Sequence, residues 1–258
     1  MPSIYAHHRL GQRCLDRFPR EVQDLIRRNM DLYNLGLHGP DLMIFHDPIR
    51  KDAVTRLADH YHGQTGREFF TGAAEFLREN TDEGAVSYIY GILGHFTLDS
   101  GCHPFVRAVS KEKCPAHLEL EADFDRHLLV LDGKIPAHTQ IITRHLKLRG
   151  EKDVESVTKV YALTPKQVRK CLRKFRQIMN LVTAPEGMRR RILLSGKLSA
   201  TAAEMVMGID PNPRCADAIP ELMARYLQAE ELYPRLMKEL LAFVEHGTPL
   251  SQRFDLTY

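Results

Sequence analysis

Residues 95–121 read HFTLDSGCHPFVRAVSKEKCPAHLELE, and within them His95, Asp99 and His103 recur every four residues. On a helix each projects about 40° beyond the last, so the three share one face. His117 and Glu121 repeat that spacing on a segment whose apolar pattern and Pro115, suited to a first helical turn, mark it as the next helix. Two helices then face each other with ligand-type side chains between them. Neutral imidazole nitrogens and carboxylate oxygens bind zinc while leaving a position open for water, and a carboxylate such as Asp99 is able to bridge two ions. A single i, i+4 His/Asp pair also occurs on solvent-facing helices. Two such pairs and a third histidine in so short a stretch point to metal.

Around this stretch the pattern is helical in both directions. Val86, Ile89, Tyr90, Ile92, Leu93 and Phe96 surround the row, so 85–102 reads as a central helix buried on most faces. Upstream, 4–15 opens a helix that carries His7 and His8, and 20–35 reads as one packed helix. The segment GLHGPDLMIFHDP forms a turn or loop around Gly36, Gly39 and Pro40, where Asp41 is a metal ligand or a helix cap. Residues 51–79 form a helical pair or one interrupted helix. His60 and His62 lie two apart there, so a helix sends them to opposite sides and only one reaches the metals. Phe69, Phe70 and Phe76 read as core. The His46-Asp47 doublet precedes Pro48, which disfavours the helical setting that an HD metal motif requires.

Downstream, Asp123 and Asp125 are either carboxylates that orient a ligating histidine or solvated surface groups. Thr164-Pro165 starts a helix bearing Lys166, Arg169, Lys170, Arg173, Lys174 and Arg176, and Arg189, Arg190 and Arg191 add a second basic cluster. After Pro211 and Pro213 a last helix spans 216–244, closed by His246 and Gly247. With no strand pattern and no repeat, the chain reads as a single all-α domain over 1–258, its ligand region in 1–130 and a helical part in 131–258.

Composition narrows the function classes. A chain of 258 residues buries a sizeable core, and a net charge of +3 is too small for a dedicated nucleic-acid binder. The opening MPSIYAHHRLGQRC lacks the apolar core of a secretory signal, no stretch reaches the length of a membrane span, and the cysteines are odd in number and scattered. The expectation is a cytoplasmic protein with buried thiols. Cys102 and Cys114 flank the metal stretch, and Cys102 points off the row.

HFTLDSGCHPF followed by HLELEADFD resembles the signature of the zinc-dependent phospholipase C family, whose wider superfamily includes trinuclear-zinc nucleases that cut single strands. The Asp-to-His step is shorter than in secreted members and the proline follows the histidine, which matches an intracellular branch better. The resemblance covers residues 1–130. It implies a helical fold of the phospholipase C and zinc nuclease type, with a buried cluster of two or three zinc ions. The ligands it implies are His7 (alternatively His8), Asp41 of the GPD segment, His62 (alternatively His60), His95, Asp99, His103, His117 and Glu121. Secreted members complete one zinc site with an N-terminal tryptophan; this chain has no tryptophan, and the amine of Pro2 is the nearest substitute.

The implied activity is metal-dependent phosphoester hydrolysis, with Asp41 or Glu121 as the carboxylate that takes a proton. The implied substrate is a phosphodiester such as a phospholipid, met through peripheral membrane contact. A nuclease or other phosphoesterase on the same scaffold, and a non-catalytic zinc protein, are the alternative readings.

Overall fold

The computed structural model describes residues 3–47, 50–79, 82–112, 115–136, 143–183, 187–196 and 199–258. In chain order the first α-helices are α1 (Ile4–Cys14), α2 (Arg20–Arg28), α3 (Met30–Gly36), α4 (Asp41–Ile44), α5 (Ala53–Gly63), α6 (Gly66–Glu79), α7 (Glu83–Glu112) and α8 (His117–Leu131). They are followed by α9 (Glu151–Tyr161), α10 (Pro165–Val182), α11 (Met188–Leu194), α12 (Ala200–Glu204) and α13 (Ile219–His246). Among the described residues there is no strand, only one isolated antiparallel bridge between Thr65 and Thr257. The all-α expectation holds. No described helix is long and apolar enough to cross a membrane.

Helix ends follow local chemistry. The Asp52 carboxylate accepts from the amides of Val54 and Thr55 and starts α5. Thr164 and Gln167 form a reciprocal capping box at α10, with Pro165 in its first turn. Gly247, at φ 69°, ends α13 in the left-handed conformation.

Several boundaries differ from expectation. Residues 20–35 form two helices, because the Asn29 side-chain amide donates to the Leu25 carbonyl and its backbone leaves helical geometry. Residues 51–79 form a pair, broken at Gln64 and Thr65. Pro115 lies ahead of α8, whose N-cap is Ala116. The last helix begins at Ile219, after the expected start.

The central helix α7 runs past its expected end, through Pro104, to Glu112. Proline removes one amide from the ladder, and the Arg225 guanidinium donates to the Gly101 carbonyl beside the break. At 30 residues the helix is about 45 Å long. Its most extensive contacts are with α3 and α13, followed by α9, α1 and α8, with α2 and α6 touching it less. Buried apolar side chains from Ile4 to Tyr258 make one continuous cluster around it.

The approach of α3 to α7 is backbone on backbone. A Cβ added at Gly91 would stand 2.3 Å from the Tyr33 carbonyl oxygen, and one at Gly36 would stand 2.1 Å from that of Tyr88. Gly91→Ala is therefore expected to force the helices apart and cost about 3 kcal/mol. A lowered urea midpoint at unchanged slope would report it; an unchanged midpoint would show that the contact yields freely.

Candidate metal centre

A helix buried on nearly every side has no place for an unsatisfied polar group. Thr97 and Ser100 meet that demand within α7 by donating to the carbonyls of Leu93 and Phe96. His95 and Asp99 have no such route, and they turn instead toward groups on other helices. Asp99 Oδ1 lies 3.1 Å from His7 Nε2 of α1, and Asp99 Oδ2 lies 3.3 Å from His95 Nε2 and 3.6 Å from His103 Nδ1. The rings of His7 and His95 stack at 4.6 Å. On α8, Glu121 Oε1 is 2.8 Å from His117 Nε2 and 3.4 Å from His103 Nε2. On α4, Asp41 Oδ1 is 3.0 Å from His62 Nε2 of α5.

These side chains fall into three groups whose ligand atoms lie within 4.8 Å of one another: His7, His95 and Asp99; Asp41, His62 and His95; His103, His117 and Glu121. His95 belongs to two of them. The cavity bordered by His7, Asp99, His103 and Glu121 has a volume of about 20 Å³, room for an ion or a water and too small for a phosphodiester. Exposure rises at two edges, to 21% at His62 and 32% at His117, while Asp99 is 1% exposed.

The chemistry of the donors fits a cation. Both ring nitrogens of His7 and of His95, Asp99 Oδ2 and Glu121 Oε2 are buried and make no hydrogen bond, a costly state for polar groups unless an ion takes their lone pairs. His62 Nδ1 lies 2.8 Å from the Ala58 carbonyl oxygen and donates to it, which fixes the tautomer and leaves a bare Nε2 facing the Asp41 carboxylate. A proton or a metal ion must stand between them.

Burial opposes the charge of Asp99 and Glu121, yet surrounding imidazoles outweigh it and hold both carboxyls below their usual range; Asp41 is also held below it, with His62 and His95 contributing. Burial likewise opposes the charge of His103 and His62, but Asp99 and Glu121 raise the first and the Asp41 hydrogen bond raises the second. His95, fully buried, is pushed down to about 3 and stays neutral, as a ligand must.

All the ligand candidates of the sequence thus meet in one place, and the alternatives stand apart. His8 stacks on His145 at 4.0 Å, and His60 lies at the surface beside Gln64. His46 pairs with Asp52 rather than with the cluster. Cys102 is near, but burial pushes its thiol up to about 12, away from the thiolate that binds metal. Cys114 and Pro2 lie outside the described residues.

Asp123 and Asp125 are buried, not solvated, and neither touches a histidine of the cluster. Asp123 pairs with Arg126 at 2.5 Å. Asp125 caps α1, accepting from the amides of Tyr5 and Ala6 at 2.8 Å each and from the Ser3 hydroxyl at 3.0 Å. It therefore places His7 by anchoring the helix that carries it. Asp125→Ala should strand these donors, cost about 3 kcal/mol and lower the bound metal at the His7 group. Chemical denaturation together with elemental analysis tests this; unchanged values in both would remove the anchoring role.

Sequence reasoning missed three contributors. Gly39, at φ +45°, brings the backbone so close to His95 that an added Cβ would stand 2.4 Å from its ring. His38 Nε2 meets His145 Nε2 at 2.8 Å, and the His38 ring lies 6.1 Å from His7. Tyr258 is buried with its ring 5.5 Å from His95 and 6.0 Å from His62. Their partners lie far off in sequence, so no local spacing announces them.

Fold and site together define a class: helical proteins with a buried histidine and carboxylate cluster gathered around one central helix. The family model described as zinc dependent phospholipase C matches residues 6–171, well over half of the chain, and the protein belongs to that family. No curated protein and no solved structure matches the chain.

Proposed function

We propose that the protein is a phospholipase C-like phosphodiesterase using two or three zinc ions held by His7, Asp41, His62, His95, Asp99, His103, His117 and Glu121. The observation that supports this is sharing. His95 serves two groups, and Asp99 lies against His7, His95 and His103, so the ligand sets form a contiguous centre. Bound zinc would supply Lewis acidity toward phosphoryl oxygens and lower the pKa of attached water toward neutrality.

The chain's own groups would do the rest. The partly exposed His62 and His117 mark the edges at which a substrate reaches the centre. Asp41 and Glu121, ionised and buried, are placed to accept the proton released during attack. The water-poor walls strengthen every charge interaction inside them. Family membership favours a phospholipid head group as substrate, cleaved to diacylglycerol and a phosphorylated head group. The exposed basic residues Arg169, Arg173 and Arg176 of α10 would then meet an anionic membrane surface. Buried free thiols at Cys14, Cys102, Cys171 and Cys215 suit a reducing, cytoplasmic compartment.

The test is hydrolysis by purified protein of phosphatidylcholine vesicles, bis(4-nitrophenyl) phosphate and single-stranded DNA, each with and without chelator, alongside zinc content per chain. Chelator-sensitive cleavage of lipid and of the chromogenic diester, with at least two zinc ions bound, is the expected result. Cleavage of DNA alone would replace the phospholipase reading with a nuclease. Bound zinc without any hydrolysis would leave a structural metal site.

A further inference from the structure

We propose that Arg107 is the side chain that binds the phosphoryl group at this centre; the inference rests on the phosphodiesterase reading and extends it to the substrate's anion. The ligand row on α7 does not stop at His103. Because the helix continues through Pro104, the next position in the four-residue register is Arg107. It lies about 6 Å further along the axis and 40° further round. Helical side chains lean toward the N-terminus, so its guanidinium reaches back over the preceding turn. Arg107 Nη2 comes within 3.5 Å of His103 Nδ1. The cation thus stands beside the His103, His117 and Glu121 group, at the more exposed edge of the cluster.

Arg107 Nη2 also donates to the backbone oxygen of Tyr258 at 2.5 Å. That oxygen belongs to a segment fixed against the centre. Thr257 bridges Thr65, the Gly66 amide donates to Leu256 at 2.9 Å, and the Tyr258 ring packs between His62, His95 and Phe96.

An exposed arginine that stands beside candidate metal ligands and donates to an oxygen at the edge of the centre is placed to donate to a phosphoryl oxygen there. The planar guanidinium fork suits two such oxygens at once. Charge on those oxygens grows as a diester is attacked, so the contact would strengthen in the transition state.

The experiment is calorimetric titration of zinc-loaded protein with inorganic phosphate at low ionic strength. The proteins are wild type, Arg107→Ala, Arg107→Lys and, as a control at an exposed arginine on α2, Arg20→Ala, each with its zinc content measured, and kcat and KM on bis(4-nitrophenyl) phosphate are determined in parallel. A charged hydrogen bond of about 1.5–3 kcal/mol predicts a phosphate affinity roughly 10- to 100-fold weaker in Arg107→Ala. Zinc content should be unchanged, and Arg107→Lys and Arg20→Ala should be intermediate and unaffected, respectively. Unaltered phosphate binding by Arg107→Ala overturns the assignment. So does an equal loss in Arg20→Ala, which would mean general charge, or loss of zinc from Arg107→Ala, which would mean support of the ligands. If the wild type hydrolyses no diester yet Arg107→Ala still loses phosphate binding, the anion site stands and the phosphodiesterase reading fails.

Discussion

Asp99→Asn is expected to lose zinc and hydrolytic activity together, and by more than any other single replacement in the cluster. Asp99 is the one carboxylate in contact with His7, His95 and His103, so its charge serves ligands on two helices at once. Asparagine keeps the shape and removes the charge. Partners one shell out from a metal typically cost 10–100-fold in affinity or activity when mutated, and a carboxylate within the cluster should exceed about 100-fold. Elemental analysis after dialysis should find at least one zinc ion fewer per chain than in wild type. A variant that keeps full zinc content and full rate would remove Asp99 from the centre and leave its burial unexplained.

The row on α7 and the pair on α8 are legible in the sequence because a helix turns four-residue spacing into a shared face. No such rule relates His7, Asp41 and His62 to that face. They come from three other helices, and it was resemblance to the family motifs that singled them out. The all-α class was legible from periodicity, but three kinds of detail were not. The break at Asn29 depends on a side chain competing for a carbonyl, which the apolar pattern of 20–35 does not record. The continuation of α7 through Pro104 appears only in the fold, where other helices pack along it, so the register that leads to Arg107 was hidden. The burial of Asp125 and Tyr258 depends on α1 and on the 248–258 segment folding back across the ligands. Asp125, midway along α8, and Tyr258 carry no local pattern that marks them as buried until the tertiary fold is known.

Chelation should destabilise the protein strongly, and more at pH 8 than at pH 6. A ligand at 1,000 times its dissociation constant stabilises by about 4 kcal/mol per site. For a chain of this size each kcal/mol moves the melting temperature by about 2–4 °C, so stripping even one such ion should lower it by roughly 10 °C. The pH dependence follows from His62 and His103. Burial depresses both, but Asp41 for the first, and Asp99 with Glu121 for the second, raise them above the ordinary histidine value of 6.5. In the metal-free fold, their protonated rings act as counter-charges to the buried carboxylates. That contribution is fully present below the unfolded value and disappears as pH rises through the higher folded one. Zinc binding has the opposite sign, because it needs neutral rings and strengthens as they lose protons. The gap between metal-loaded and chelated melting temperatures should therefore widen from pH 6 to pH 8. A gap that stays constant over this range would mean that these histidines do not exchange protons for metal, and a gap that narrows would place the bound ion elsewhere in the fold.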